Sequence, residues 1–283
     1  MGLRTKTKFT VARCIYRALM PFRRLAGKGS TALVRRSGFR WDLDLNQSEG
    51  ISIYLTGTFQ RDSVLVMRKL IQPGDVVLDI GAHFGSQTMF AARAAGPRGR
   101  VYAFEPTGYA YRALLKNISL NPEYSSRIVA EQMYVASGAA AAVPAQVYSN
   151  WPLVTGEPVH EHHRGILESI DGAFVESIDG YCRSRGIDTV RVMKIDVDGF
   201  ECEVLRGARE TLRRSRPPIL IELEPSLYDR PGGDRFEDLL DLLAQARYRL
   251  VHSTKGTPLP MDGSLRKLIP DGASMDALAL PCD

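Results

Sequence analysis

Three carboxylates surround a glycine in the stretch VMKIDVDGFECEVL, which runs from Val192 to Leu205. The start of this stretch is typical of a buried strand, and its end is typical of a helix. Asp196, Asp198 and Glu201 therefore lie where a strand turns into a helix. A carboxylate at such a point can take a proton as a general base, or it can hold a divalent cation that acidifies a bound hydroxyl.

A second group of residues with chemical potential lies in the stretch LDIGAHFGSQT. Asp79 ends a predicted strand, and Gly81 and Gly85 open the helix that follows. Glycines let a backbone approach a ligand, and the free N–H groups of a helix N-terminus attract an anion. The next strand ends at Glu105, 20 residues after Gly85, where a carboxylate can bind both hydroxyls of a ribose. Together these strand ends predict a ligand that contains a nucleoside.

The spacing within this loop favours one nucleoside ligand over another. A dinucleotide site typically has G-x-G-x-x-G, because its glycines cradle a pyrophosphate. This loop reads D-x-G-x-H-x-G, with His83 where a middle glycine would stand. S-adenosylmethionine has a ribose, a carboxylate and cationic centres but no pyrophosphate, so Asp79 and Glu105 both suit it. We therefore expect S-adenosyl-L-methionine as the cofactor.

Strand and helix patterns alternate from about residue 41 onward, and this alternation must position the strand ends. It predicts an α/β fold, in which a doubly wound, mostly parallel sheet carries helices on both faces. Ligands of such sheets bind beyond the carboxyl ends of the strands. Four local predictions accompany the alternation: a hairpin of Trp41–Leu45 with Gly50–Leu55, one strand over Arg127–Ser137, a helix around Ser177–Arg185 and one helix over Phe200–Arg214.

Residues 138–170 interrupt the alternation and are predicted to be irregular. Segments of this length without regular structure are often lids, so Tyr148 and Trp151 are candidates for contact with a sugar ring. The sequence HEHH at His160–His163 lacks the H-E-x-x-H spacing of a zinc site, which favours a solvated loop. We expect no metal site in the chain.

The basic residues are concentrated at the N-terminus. Residues 1–40 contain 3 Lys and 8 Arg and no acidic residue. Subtracting these 11 from the total of 37 leaves 26 basic against 32 acidic residues, a net charge of −6 for the rest. We therefore divide the chain into a basic arm, residues 1–40, and one domain, residues 41–283, which has no charge pattern for nucleic acid.

The arm has the periodicity of an amphipathic helix. Its apolar residues recur at three- and four-residue steps, and Pro21 is expected to end or kink the helix: Phe9, Ala12, Ile15, Tyr16, Leu19 and Phe22. Such a helix either lies on an anionic membrane as a peripheral anchor or packs on its own domain. Both alternatives remain open from the sequence.

The spacing of the cysteines and the hydropathy of the chain indicate in which cellular compartment the protein is expected. Cys14, Cys182, Cys202 and Cys282 show no C-x-x-C spacing, which is typical of free thiols in a reducing compartment. No apolar run approaches the roughly 18 residues that a membrane span needs. We expect a cytoplasmic protein, with peripheral membrane contact only through the arm, and the sequence does not specify an oligomeric state.

Several of these motifs together resemble one family. VVLDIGAHFG, VYAFEP and MKIDVDGFECEVLRGA…ILIELEP are similar to the FkbM-type S-adenosylmethionine-dependent methyltransferases, over about residues 41–260. The resemblance implies a Rossmann-like seven-stranded methyltransferase sheet and O-methylation of sugars or natural products. It places the cofactor at Asp79, Gly81, Ala82, His83, Gly85 and Glu105, with Ser137 near the adenine. His83 departs from the family, which commonly has Asn there.

The resemblance also gives the carboxylates provisional roles. Asp196 is the candidate catalytic base at the end of the fourth parallel strand, whereas Asp198 and Glu201 are predicted to cap the next helix. Glu222, which ends the fifth strand, is a candidate second acidic wall. The expected substrate is a hydroxyl of a glycan, glycolipid or other natural product. N-methylation, carboxyl methylation and a catalytically silent cofactor-binding module are the alternatives.

Overall fold

The computed structural model describes residues 5–154, 156, 159–160, 164–228 and 232–282, and strands and helices are numbered along the chain. Its centre is a sheet of seven strands. From one edge to the other these are β12 (Tyr248–His252), β13 (Met275–Pro281), β11 (Ile219–Leu223), β10 (Val192–Ile195), β3 (Val76–Ile80), β4 (Arg100–Phe104) and β5 (Ile128–Glu131). Only β13 runs antiparallel to its neighbours in this sheet. The predicted mostly parallel seven-stranded sheet is confirmed.

Helices cover both faces of the sheet because its central strands are apolar on both sides. Leu78 and Ile80 of β3 belong to one core, and Val77, which precedes Leu78, belongs to the other. This alternation follows the two-residue period of a strand. The ten helices of the described residues are α1 (Thr5–Leu25), α2 (Ser48–Thr56), α3 (Arg61–Leu70), α4 (Ser86–Ala95), α5 (Gly108–Ser119), α6 (Pro122–Ser125), α7 (Ile178–Arg185), α8 (Glu201–Arg206), α9 (Arg209–Ser215) and α10 (Phe236–Gln245).

The hairpin lies one element earlier than predicted. β1 (Thr31–Arg36) pairs with β2 (Phe39–Asp44), and Ser37 and Gly38 between them have φ values of +50° and +89°. Two consecutive positive φ values suit the two-residue turns of tight hairpins. The predicted partner strand, Gly50–Leu55, is wrong, because these residues belong to α2. Its alternation resembles a strand, but close packing of the backbone at Gly50 against Asp44 and the left-handed cap at Gly57 accompany a helix.

Two predicted single elements are each divided. The strand over Arg127–Ser137 breaks at Gln132 into β5 and β6 (Met133–Val135), and β6 pairs outside the main sheet with β9 (Phe174–Glu176). The helix over Phe200–Arg214 breaks between α8 and α9. At this break a Cβ on Gly207 would lie 2.1 Å from the carbonyl oxygen of Ala136, so the backbones meet too closely for a larger residue.

The segment 138–170 is more ordered than predicted. It contains an antiparallel pair, β7 (Gln146–Ser149) with β8 (Ile166–Ser169). Of the HEHH sequence, His160 packs edge-on against Tyr148 with ring centroids 4.8 Å apart, and residues 161–163 lie outside the described residues. The predicted solvated loop at His160–His163 can therefore be compared with the structure only at His160.

One face of α1 packs on the domain, and the helix continues past Pro21 to Leu25. Phe9, Tyr16 and Met20 are buried in the same core as the β1–β2 hairpin. The hairpin itself starts at Thr31, before residue 41, the predicted start of the domain. In the part of the chain that the structure describes, no helix has both the length and the hydropathy to cross a membrane.

Candidate active site

A cavity of about 1160 Å³ lies beyond the carboxyl ends of β3, β4, β10 and β11, where ligands of open α/β sheets bind. Three parts of the chain form its walls: the loop between β3 and α4, the acidic strand ends, and the β7–β8 region. This volume is slightly larger than the usual range for small-molecule and cofactor sites, about 300–1000 Å³.

The loop between β3 and α4 has three residues with left-handed backbone conformations. Gly81, His83 and Gly85 have φ values of +80°, +49° and +91°. A Cβ on Gly81 would lie 1.8 Å from the carbonyl oxygen of Asp196, so this glycine lets the ends of β3 and β10 meet. The loop and Asp196 are thereby fixed side by side.

Glu105 is the fixed acid of this wall. It is only 4% exposed and lines the cavity. Its Oε2 accepts a hydrogen bond from the backbone N–H of His83 at 2.9 Å, and its Oε1 accepts from the backbone N–H and the hydroxyl of Thr107 at 3.0 and 2.6 Å. A carboxylate offers about four lone-pair sites. Glu105 is therefore held rigidly and retains capacity for a ligand hydroxyl.

Two buried polar atoms at the start of α4 have no hydrogen-bond partner within the described residues. They are the Oγ of Ser86 and the Oε1 of Gln87, and both residues line the cavity. Buried polar groups are nearly always hydrogen-bonded in folded proteins. Together with Glu105 and the N-terminus of α4, they form a wall that fits a polar ligand with hydroxyl and anionic groups, as S-adenosylmethionine has.

A row of carboxylates forms the opposite wall. Asp196 directly follows β10, and Glu222 on β11 is in register with Asp276 on β13. Ile195 pairs with Ile221, so Asp196 and Glu222 are also neighbours across the parallel strands. All three carboxylates line the cavity. Among the described residues, no group of three or more His, Cys, Asp or Glu has an arrangement that can hold a metal ion.

Lys194 is a buried cation behind this wall, and its side chain is only 5% exposed. Its Nζ lies 3.3 Å from Oδ1 of Asp79 and 3.5 Å from Oδ2 of Asp196, and it donates a hydrogen bond to the carbonyl oxygen of Gly81 at 2.5 Å. Lys194 and Asp79 are paired in register across β10 and β3. A single ammonium group thus links the predicted cofactor strand to the predicted base.

The charges of this cluster set different protonation states for the carboxyls. Burial opposes the ionisation of Asp196, but the Lys194 ammonium outweighs it and lowers the pKa of Asp196 below its usual value. Burial, with the negative charge of Asp196 next in importance, raises the pKa of both Asp198 and Glu222 well above usual. Asp196 is therefore the carboxyl of this group that ionises most readily.

Glu201 and Asp198, which share a predicted capping role, differ in the structure. Glu201 begins α8, and its Oε1 accepts hydrogen bonds from the backbone N–H groups of Val197 and Gly199 at 3.3 and 3.2 Å. It also accepts one from the hydroxyl of Tyr228. Asp198 has a φ of +50° and lines the cavity. Glu201 lies in the first turn of α8, but its hydrogen bonds hold the preceding loop and do not cap the helix, whereas Asp198 belongs to the cavity wall.

The β7–β8 region closes the cavity over the cofactor loop. Tyr148, Ser149 and Trp151 line the cavity. Nε2 of His83 lies 3.1 Å from Oδ1 of Asn150, and the His83 and Trp151 rings meet edge-on at 5.6 Å between centroids. His83 therefore connects the loop between β3 and α4 to Asn150 and Trp151 of the β7–β8 region.

The structure brings some predicted site residues into the cavity and leaves others behind it. Gly81, Ala82, His83, Glu105 and Asp196 are among the lining residues, whereas Asp79, Gly85 and Ser137 are not. The carboxylate of Asp79 is completely buried, and the hydroxyl of Thr88 donates a hydrogen bond to it at 2.6 Å. Ser137 is exposed, and its backbone N–H bonds to Glu203. The predicted contact of these three with a cofactor stays a prediction.

The sequence analysis missed Lys194, Ser86 and Asp276. Lys194 had a recognisable signal, because a lysine within the apolar strand VMKI must find anionic partners or remain at the surface. Asp276 had a weaker signal, since it begins a strand. β13 runs antiparallel to its neighbours, so its first residues lie beside the carboxyl ends of those strands.

Removal of Lys194 should destabilise the protein strongly. Lys194→Met keeps the side-chain length but leaves Asp79 and Asp196 as buried carboxylates without their cation. We expect the free energy of unfolding to fall by about 3–5 kcal/mol, the range for breaking a buried ion pair by removing one partner. Urea denaturation measures this change. Adding Asp79→Asn to Lys194→Met should restore part of the lost stability. The exposed control Lys116→Met should change the free energy of unfolding little. Equal losses of stability in Lys194→Met and Lys116→Met would contradict the pairing.

The raised pKa of Asp198 predicts a pH-dependent stability. The folded state binds the Asp198 proton more tightly than the unfolded state, so its contribution is complete below the unfolded pKa and is lost as the pH rises toward the folded pKa. Asp198→Asn lacks this titration, and Asn tolerates positive φ. The Tm of the variant relative to wild type should therefore rise from pH 5 to pH 8, as differential scanning calorimetry can measure. The exposed control Asp188→Asn should show no such trend, and a flat difference for Asp198→Asn would refute the assignment.

Comparison with known proteins identifies a family and several relatives of this chain. The sequence pattern of the family described as "Methyltransferase FkbM domain" matches residues 79–250, from the end of β3 to β12. The chain is 26% identical over 176 residues to Methyltransferase sdnD of Sordaria araneosa, covering 53% of this chain and 67% of that protein. It is 25% identical over 186 residues to the 2-O-methyltransferase NoeI of Sinorhizobium fredii, covering 63% and 74%.

Solved structures show more distant similarity. The methyltransferase FkbM from Methylobacillus flagellatus aligns with 16% identity and a TM-score of 0.43, and 81% of this chain covers 52% of that one. The O-methyltransferase from Bacillus cereus, solved with SAH, aligns with 14% identity and a TM-score of 0.44 over 79% and 82% of the two chains. The family match includes the loop between β3 and α4, Glu105, Lys194, Asp196 and Glu222. This chain therefore belongs to the FkbM methyltransferase family.

Proposed function

We propose that this protein transfers a methyl group from S-adenosylmethionine to a hydroxyl oxygen of a sugar-containing or related natural product. The observation that carries the proposal is the placement of an ionised carboxylate, Asp196, directly beside the predicted cofactor loop. The contact between Gly81 and the Asp196 backbone fixes that placement. A base beside a methyl donor is the arrangement that methylation of a neutral hydroxyl needs.

The residues that would hold the cofactor are those of the β3–α4 wall. Glu105 would accept hydrogen bonds from ribose hydroxyls, and Ser86 and the N-terminus of α4 would bind the polar amino-acid end. When bound, S-adenosylmethionine supplies an electrophilic methyl group on a sulfonium. Asp79 would contribute indirectly, because its ion pair with Lys194 holds the strand end on which the loop depends.

Asp196 is the best candidate base among the cavity carboxyls. Its lowered pKa favours the carboxylate form, whereas the raised pKa values of Asp198 and Glu222 favour their protonated forms. As the bond from the acceptor oxygen to the methyl carbon forms and the carbon–sulfur bond breaks, the hydroxyl proton would pass to a carboxylate oxygen of Asp196. Protonated Glu222, its neighbour across the strands, can donate a hydrogen bond that orients Asp196.

The covering segment supports a sugar or another ring-shaped acceptor. Tyr148 and Trp151 present aromatic surface to the cavity, and Ser149 and Asp198 add polar groups. A planar apolar surface beside a few polar groups is typical of small-molecule sites. Oxygen as the acceptor atom also agrees with the name of the Sinorhizobium relative, a 2-O-methyltransferase.

Replacing Glu105 tests the cofactor assignment. Glu105→Ala removes the acceptor of the proposed ribose hydroxyls, so binding of S-adenosylmethionine should weaken by about 1–3 kcal/mol, the range for losing a charged hydrogen-bond partner. Isothermal titration calorimetry measures the affinity, and circular dichroism checks the fold. The exposed control Glu123→Ala should bind normally, and unchanged affinity in Glu105→Ala would remove this residue from the ribose role.

Replacing Asp196 tests the chemistry. Asp196→Asn keeps the size but cannot accept a proton, so kcat should fall by about 10²–10⁴-fold, the usual contribution of general base catalysis. The affinity for S-adenosylmethionine should change little. Mass spectrometry of glycans, lipids and small molecules from cells with and without the protein identifies the acceptor by a mass gain of one methylene, and turnover is then measured on that acceptor.

Three outcomes separate the alternatives for Asp196. Wild-type activity that a chelator abolishes and magnesium restores would replace the base with a metal-holding carboxylate. Near wild-type turnover in Asp196→Asn, without a chelator effect, would leave alignment of the methyl group as the source of catalysis. Normal cofactor affinity with no methylated product in any extract would favour a silent binding module. The control Asp188→Asn should behave like wild type throughout.

A further inference from the structure

The outward side of α1 is an apolar stripe. Its residues are spaced at four- and three-residue steps and so share one face of the helix: Val11, Ile15, Ala18, Phe22 and Leu25. Val11, Ile15, Phe22 and Leu25 are 50%, 37%, 73% and 87% exposed. This stripe lies on the side of the helix opposite Phe9, Tyr16 and Met20, which face the core. The helix is thus apolar on two sides, and only one of them is covered by the domain.

The packing of α1 keeps this stripe outward. The hydroxyl of Tyr16 donates a hydrogen bond to Oδ1 of Asn46 at 2.8 Å. The guanidinium of Arg23 is buried and donates to the carbonyl oxygens of Gly29 and Thr31 at 3.1 and 2.9 Å. Rotating the helix to bury Phe22 would break these bonds and expose the core face, so the described part of the chain leaves the stripe uncovered.

The charge around the stripe indicates what can cover it. Arg17 and Arg24 of α1 and Lys28 just after the helix are exposed, and the first acidic residue of the sequence is Asp42. An apolar helix face flanked by cations matches the surface of an anionic bilayer, which offers acyl chains beneath phosphate groups. A second copy of the chain would bring the same cations together, which disfavours a symmetric pairing through this face.

The stripe also adjoins the cavity. A shallow groove of about 240 Å³ between α1 and α2 is lined by Val11, Ile15 and Leu55. Phe9 and Ser48 line both this groove and the active-site cavity. A surface bound along the stripe would therefore lie close to the part of the cavity that Phe9 of α1 lines.

We infer that α1 docks this protein onto an anionic bilayer, with the helix lying in the interface and the stripe of residues 11–25 in contact with the acyl chains. The inference goes beyond the methyl-transfer proposal and does not depend on the identity of the acceptor. Because α1 is only partly apolar, the contact is peripheral, and much of its strength comes from the cations.

The test uses the full-length protein and sedimentation with two kinds of vesicle, phosphatidylcholine alone and phosphatidylcholine mixed with phosphatidylglycerol. We expect binding to the anionic vesicles, weakened by added salt because screening acts over about 8 Å at physiological ionic strength. Arg17→Gln/Arg24→Gln should reduce partitioning by roughly 25-fold, since each basic residue near such a surface contributes about fivefold. Ile15→Gln/Phe22→Gln should reduce it by roughly tenfold or more through lost apolar burial.

Matched controls separate this surface from general effects of charge and hydropathy. Arg209→Gln/Arg213→Gln removes two exposed cations from α9, and Leu65→Gln/Leu115→Gln removes two exposed leucines from α3 and α5; both should bind like wild type. Thermal unfolding verifies that each variant is folded. Equal binding to both vesicle types, or equal loss in the control variants, would overturn the inference. So would a dimer in mass photometry that Ile15→Gln/Phe22→Gln dissociates, without binding to vesicles, because the stripe would then be a protein interface.

Discussion

The ion pair between Lys194 and two carboxylates is the interaction on which the site depends. An ammonium group with 5% of its side chain exposed is costly unless anions surround it, and Asp79 and Asp196 meet that requirement from adjacent strands. Together with the Gly81 contact, this pair fixes the relative positions of the cofactor loop and the candidate base. The Lys194 ammonium stabilises the carboxyl ends of two central strands and also lowers the pKa of Asp196. One side chain therefore contributes both to the fold and to the charge of the candidate base.

Prediction from the sequence succeeded for elements whose pattern of apolar residues is visible within a few consecutive positions. The apolar runs at β3, β4 and β10 are buried strands as predicted, and the polar residues that follow two of them, Glu105 after β4 and Asp196 after β10, line the cavity as a parallel sheet requires. The family resemblance is likewise confirmed by the match over residues 79–250. The long-range partner of Asp79 was not visible in its own neighbourhood, because Lys194 is 115 residues away in the chain.

The errors have physical causes that can be named. Gly50–Leu55 alternates like a strand, but packing against the end of β2 favours a helix, and the tertiary contact decides between the two. The true hairpin had its signal in the dipeptide Ser37–Gly38, because glycine and serine are common turn residues and glycine adopts a positive φ without steric cost. The rule that active-site residues end strands failed for Asp276, because β13 runs in the opposite direction and reaches the same edge with its beginning.

The position of β13 has a consequence for how the protein is made. This strand is inserted between β11 and β12, yet it is formed by residues 275–281, later in sequence than the other six strands. During synthesis the nascent chain can assemble β3, β4, β5, β10 and β11, but β12 reaches its place in the sheet of the described residues only through β13, which is synthesised later. Until then the edge of β11 is open and its backbone groups are unpaired, as in other incompletely folded sheets. Glu222 also lacks its neighbour Asp276 during this interval, so the acidic wall is completed only after translation of the last strand.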